Sequence, residues 1–218
     1  MTAVASDDLN QVELLDVNPD PRCPVVLLLD TSGSMEGEPI DALNEGVSKF
    51  AGFLRADPIA RNRVELAIVT FGGSVTPWTD FQHAEDFKPE AYEADGGTPM
   101  GEAILTGLKL IEEQKARHRA QVIEFYRPIM LAITDGKPTD ERAFAEAVEA
   151  LRDAETKEKV DFYAVGVLGA DMSLLRGMKT HNSPTYLKGV EFTTLFKYLS
   201  DSLSAQPTEG GQISIRRS

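Results

Sequence analysis

Apolar residues fall along this chain in two alternating textures: short unbroken runs, and longer stretches in which they recur every three or four positions. Pro24 to Leu29 (PVVLLL) is an unbroken run, the pattern of a strand buried on both faces. After the loop DTSGSMEGE, apolar residues return at Ile40, Leu43, Val47, Phe50 and Leu54, a spacing that predicts a helix of about four turns. Arg63 to Phe71 (RVELAIVTF) reads as a second strand. Gly72-Gly73 then turns the chain into Ser74 to Thr79, an expected antiparallel partner. Residues 80–97 carry no clear period and read as a long loop. A second helix is expected from about Thr98-Pro99, with Met100, Ile104, Leu108 and Ile111 on one face. Pro128 to Thr134 (PIMLAIT) is a further buried strand, and Pro138-Thr139 opens a helix carrying Phe144, Val148 and Leu151. Val160 to Val167 is the next strand, and Phe192 to Leu203 the last helix.

Strands that alternate with helices in this way imply an α/β fold. The expectation is a doubly wound, mostly parallel central sheet with one antiparallel edge strand and helices on both faces. Residues 1–22, polar and acidic apart from Val12, Leu14 and Leu15, read as an arm or an edge strand. Residues 23–205 form the domain, and 206–218 a loose tail ending in Arg216 and Arg217, read as solvated. In open sheets of this kind, ligands sit beyond the carboxyl ends of the strands. The chemistry is therefore expected in the loops after Leu29, after Thr134 and before Met100.

Composition narrows the function classes. The net charge of −13 disfavours phosphate neutralisation and hence nucleic-acid binding. It suits cations and basic partners, though many soluble proteins share it. No apolar run approaches the roughly 20 residues of a membrane helix, and Met1 to Asn10 lacks the look of a secretory signal. A single cysteine, Cys23, allows no disulfide within the chain and reads as a packed thiol. The expected location is the cytoplasm.

The loop Asp30-Thr31-Ser32-Gly33-Ser34 leaves a buried strand at its carboxyl end. Asp30 offers a carboxylate, Ser32 and Ser34 offer hydroxyls, and Gly33 lets the backbone bend between them. These are hard oxygen donors, suited to Mg²⁺, Mn²⁺ or Ca²⁺. Asp135-Gly136 leaves another buried strand, which doubly wound topology can place beside the first. Two carboxylates there repel unless a cation or a proton lies between them. Thr98, after Gly96-Gly97, would add a third hydroxyl. The candidate metal set is thus Asp30, Ser32, Ser34, Thr98 and Asp135, with a position left for an incoming partner carboxylate. Each piece also has a plainer reading. Asp30 and Ser32 suit a turn or a helix cap, Thr98-Pro99 suits a helix N-terminus, and Asp135-Gly136 suits a turn. The three together favour the metal.

The stretch VVLLLDTSGSMEGEPIDALNEGVSKF resembles the opening of von Willebrand factor A domains. Their metal-ion-dependent adhesion site has the pattern Asp-x-Ser-x-Ser, a distant Thr and a distant Asp, matched here by Asp30, Ser32, Ser34, Thr98 and Asp135. The resemblance implies that the serines and the threonine bind the ion directly or through water and that the aspartates act often through water. It covers roughly residues 23–205. More narrowly, GGTPMGEAI and ITDGKPTDE look like the bacterial tellurium-resistance TerY-like branch. That branch implies small cytoplasmic domains associated with protein kinases and phosphatases in stress or phage-defence systems. The cysteine-rich extension of some relatives is absent here.

The function expected is therefore a metal-dependent protein-binding module and not an enzyme. One alternative is a haloacid-dehalogenase-like, Mg²⁺-dependent phosphatase. Its chemistry needs a second Asp two residues after the first, where this chain has Ser32. Another is a scaffold with an inactive metal site. A serine hydrolase lacks the Gly-x-Ser-x-Gly elbow. Of the three histidines, His83, His118 and His181, none is tied to a serine by placement, and His118, in KARHRA, reads as solvated. Met35, Glu36 and Glu38 border the expected ion. Trp78 reads as a packed or rim aromatic. Phe87, Pro89 and Tyr92 either pack the long loop down or face a partner.

Overall fold

The computed structural model describes residues 18, 20–167 and 169–186. The arm before Asn18, the expected helix 192–203 and the tail lie outside the described residues.

The chain runs β1 (Cys23–Asp30), a 3-10 turn (Gly33–Met35), α1 (Glu38–Ala56), α2 (Pro58–Arg63), β2 (Val64–Gly72) and β3 (Ser74–His83). It continues through α3 (Met100–Ala120), β4 (Ile129–Thr134), α4 (Glu141–Thr156), β5 (Asp161–Gly166), α5 (Met172–Gly177) and β6 (Thr185–Tyr186). The described strands form one sheet in the order β3-β2-β1-β4-β5-β6. Every pairing is parallel except β2 with β3. This is the expected α/β architecture with one antiparallel edge.

Pleating sends alternate residues of β1 into two separate cores. Cys23, Val25, Leu27 and Leu29 meet Leu43, Val47, Phe50 and Leu54 of α1. Val26 and Leu28 meet Met100, Ile104 and Ile111 of α3 and Val148 and Leu151 of α4. Residues 23–30 are all buried, which explains an apolar run without alternation. Helix α3 lies close against α4, because a Cβ on Gly101 would fall 2.1 Å from the Phe144 backbone nitrogen.

Several elements differ from the expectation, among them the two-residue edge strand β6, which the apolar pattern does not predict. β3 continues past Thr79 to His83, with a register irregularity where the Ile68 N–H donates to the Thr79 hydroxyl (3.0 Å). The short α2 begins at Pro58, and Asp57 caps it through the amides of Ile59 (2.8 Å) and Ala60 (3.0 Å). α5 is likewise short, one to two turns capped by Asp171. Six residues are too few for a 3.6-residue period to register. The loop before α3 is packed down: Phe87 and Tyr92 are buried in the α1-side core. Asn44 holds Tyr92 by both its backbone groups (2.9 and 2.8 Å). Trp78 is 42% exposed and stands edge-on to the Tyr92 ring, a rim position.

Candidate functional site

β1 and β4 are neighbours in register, Leu29 beside Ile133. Their exits, Asp30 and Thr134-Asp135, therefore emerge side by side. The Thr134 hydroxyl donates to Asp30 Oδ2 and accepts from the Gly136 N–H (3.1 Å). Asp30 Oδ1 accepts the Ser32 N–H (2.9 Å), folding the loop back on its own strand. The Ser34 hydroxyl then donates to Asp135 Oδ1 at 2.8 Å and lies 3.1 Å from the Ser32 hydroxyl.

Thr98 reaches the same place from a third loop. A Cβ on Gly136 would lie 3.0 Å from Thr98 Oγ1 and 3.6 Å from Asp30 Oδ2. Gly136 thus keeps a side chain out of the space between these oxygens. The structure brings all five sequence-derived residues, Asp30, Ser32, Ser34, Thr98 and Asp135, to one end of the sheet. Thr98 does not cap α3 as the plainer reading had it. Pro99 occupies the cap position, and no side chain of that loop bonds the helix end.

Backbone bonds stitch the three loops together. Gly33 N–H donates to Gly96 C=O (2.9 Å), Asp95 N–H to Thr31 C=O (2.8 Å) and Gly73 N–H to Gly97 C=O (2.8 Å). Gly96 has φ 70°, and a Cβ there would lie 2.4 Å from Gly73 Cα. Both the left-handed backbone and the close approach demand glycine. On the other side, Thr139 N–H donates to Thr98 C=O (2.9 Å), and Thr98 N–H donates to Thr139 Oγ1 (3.0 Å).

Electrostatics favours a positive charge here. Burial pushes the Asp30 carboxyl above the usual carboxylate range, and the neighbouring Asp135 pushes the same way against hydrogen bonds from Ser32 and Thr134. Burial also raises Asp135, against the Ser34 hydrogen bond. Both carboxyls are thus easier to ionise once a cation is near. The donor set is two carboxylates and three hydroxyls. Among the described residues, no group of three or more His, Cys, Asp or Glu side chains is placed to hold a metal ion. The set therefore suits a hard cation rather than a thiolate or imidazole metal.

Sequence reasoning missed Thr134, Gly136, Thr139 and Asp140, which hold the loops in place. Their local signals were those of a strand end and a helix start. Two other expectations are corrected. Met35, next to Ser34, presents nothing to a docking partner, since its side chain is fully buried in the α1-side core. His118 is not solvated but 1% exposed. It lies near the far end of α3, its Nε2 2.7 Å from Glu65 Oε2, beside Gln114 and the Arg22 that precedes β1. Its sequence neighbours Arg117 and Arg119 face outward, while the helix turns Lys115 and His118 inward. His83 and His181 are exposed, and no histidine touches Ser32 or Ser34 among the described hydrogen bonds.

Comparison with known proteins agrees with this fold. Inter-alpha-trypsin inhibitor heavy chain H1 of Mesocricetus auratus is 25% identical over 172 residues, 73% of this chain and 18% of that protein. The chain thus spans less than a fifth of that curated relative. Among solved structures, the pilus adhesin SpaC from Lactobacillus rhamnosus GG superposes with a TM-score of 0.69 at 12% identity, over 85% of this chain and 30% of that one. The manganese-loaded Plasmodium vivax TRAP protein superposes with a TM-score of 0.53 at 17% identity, over 83% of this chain and 74% of that one. The family model for the von Willebrand factor type A domain matches residues 25–201, from the first buried strand to beyond the described sheet. The chain belongs to the von Willebrand factor type A domain family.

Proposed function

We propose that this domain is a metal-ion-dependent protein-binding module. Asp30, Ser32, Ser34, Thr98 and Asp135 hold one divalent cation, Mg²⁺ in the cell with Mn²⁺ or Ca²⁺ as substitutes. A protein partner then completes the site with an acidic side chain. The observation that carries this reading is the pairing of β1 with β4, which sets two partly or fully buried aspartates beside each other with Ser34 Oγ 2.8 Å from Asp135. Two carboxylates neutralise a doubly charged ion without excess, so an added carboxylate is still attracted. Gly136 supports the fit, because its missing side chain leaves room between Thr98 and Asp30. The manganese-loaded state of the Plasmodium vivax TRAP protein supports it by fold likeness. When bound, the cation supplies a positive charge for the partner's carboxylate; the chain's own oxygens orient it and hold it at the sheet end.

The likeness of GGTPMGEAI and ITDGKPTDE to the TerY-like branch extends the reading. On it, the domain is an adaptor in a bacterial tellurium-resistance, stress or phage-defence system, and a protein kinase or phosphatase is its partner class. No catalytic residue is assigned.

Titration calorimetry with Mg²⁺ and Mn²⁺ tests the site. Binding to the wild type that is lost in Asp30→Ala is the expected result, and a wild type that takes up neither ion refutes the reading. Affinity capture of partners with and without chelator then tests the module. Retention of the same proteins in chelator would remove the metal from the recognition step.

A further inference from the structure

We infer that Asp140 is a positioning residue for the metal site, acting by capping a helix other than its own. Asp140 occupies the N-cap position of α4, yet its side chain makes no capping bond to that helix. Its carboxylate instead accepts the Gly101 N–H (Oδ1, 3.2 Å) and the Glu102 N–H (Oδ2, 2.8 Å) at the start of α3. An N-cap aspartate ordinarily satisfies the free amides just ahead of it in the same chain segment. Here those of α4 are passed over in favour of α3, whose own cap residue, Pro99, has no side-chain acceptor. The negative charge also faces the positive end of the α3 dipole.

The consequence falls on the site. Asp140 shares the β4–α4 loop with Asp135, and Gly101 follows Thr98 by three residues. With the two bonds between Thr98 and Thr139, four hydrogen bonds join the loop bearing Asp135 to the segment bearing Thr98. The close contact of Gly101 with the Phe144 backbone completes the clasp. The Asp30 loop reaches the Thr98 segment separately, through Gly96 and Thr31. Asp140 therefore sets the spacing of Thr98 relative to Asp135, and hence how well the oxygen set is shaped before an ion arrives. The inference rests on the metal-site reading above.

The test compares Mn²⁺ affinity and melting temperature in the full chain for Asp140→Ala, Asp140→Asn and Asp57→Ala. Asp57 is the control, because it also caps with two amides, those of Ile59 and Ala60, at the opposite end of the sheet. Removing a partner that orients metal ligands commonly weakens affinity 10- to 100-fold. Asp140→Ala is expected to lose Mn²⁺ affinity by roughly 10-fold or more. Asp140→Asn, with one acceptor oxygen left for two amides, falls between, and it carries the test should the alanine variant not fold. Asp57→Ala should melt earlier and bind Mn²⁺ as the wild type does. Wild-type affinity in both Asp140 variants, or an equal loss in Asp57→Ala, overturns the inference while leaving the metal site standing. A wild type that binds no Mn²⁺ overturns both, and the two failures are thus told apart.

Discussion

Single residues here derive their chemistry from burial as much as from type. Cys23 begins β1 with no exposed surface. Burial first, and then the charges of Asp161 and Glu65 against that of Arg63, push its thiol up to about 12. Fewer than roughly one thiol in a thousand is then ionised near pH 8, so attack on an alkylating reagent is suppressed. Iodoacetamide should leave Cys23 untouched in the native protein and label it fully in urea; mass spectrometry reads both. Native labelling at the rate of a free thiol would contradict this packing. Glu155 is 2% exposed, and burial raises its carboxyl, against the backbone N–H of His181 (3.1 Å) and the lesser pull of neighbours. A raised native value means the folded state holds the proton more tightly than the unfolded one. The stability contributed is full below the ordinary carboxylate range and falls as pH rises through the native value. Glu155→Gln, which cannot ionise, should therefore be more stable than the wild type near neutral pH. The gain should vanish near pH 4, as urea unfolding at the two pH values would show.

At the level of elements, the apolar patterns locate the long pieces and the polar ends decide how they join. α1, α3 and α4 were legible because ten or more residues sample every face of a helix. α2 and α5 were not, being six residues each. The junction of α3 with α4 depends on Gly101, where any side chain meets backbone rather than a movable side chain. Gly101→Ala should cost about 3 kcal/mol through overpacking. It should also weaken Mn²⁺ binding by moving the segment that carries Thr98. Thermal melting and metal titration of the same sample check both. An alanine variant as stable as the wild type would mean the helices can separate freely, and the clasp built by Asp140 would lose its rigid support.

For the molecule as a whole, the proposed ion links the folding equilibrium to ligand concentration. A cation bound by three loops of the folded state has no equivalent site in the unfolded chain. Its binding adds RT ln(1 + [L]/Kd), about 2.7 kcal/mol at a hundredfold excess over Kd. The melting temperature should rise with Mg²⁺ or Mn²⁺ and return with chelator, and Asp30→Ala should show no rise. An ion-independent melting curve for a protein that still captures its partner would move the binding surface elsewhere. Among the described residues, no helix is long and apolar enough to cross a membrane.

The sequence by itself determined the alternation of strand and helix, the antiparallel turn at Gly72-Gly73, and the chemical type of the donors, since hydrophobic period and residue identity are local properties. Only the tertiary structure decided which strand lies beside β1, and so that Ser34 meets Asp135 across 101 positions. It also decided that Asp140 serves α3 rather than α4, and that His118 faces Glu65 rather than water. Such partners are chosen by the order in which strands pair and by how closely helices approach. No repeat of two or 3.6 residues carries that information.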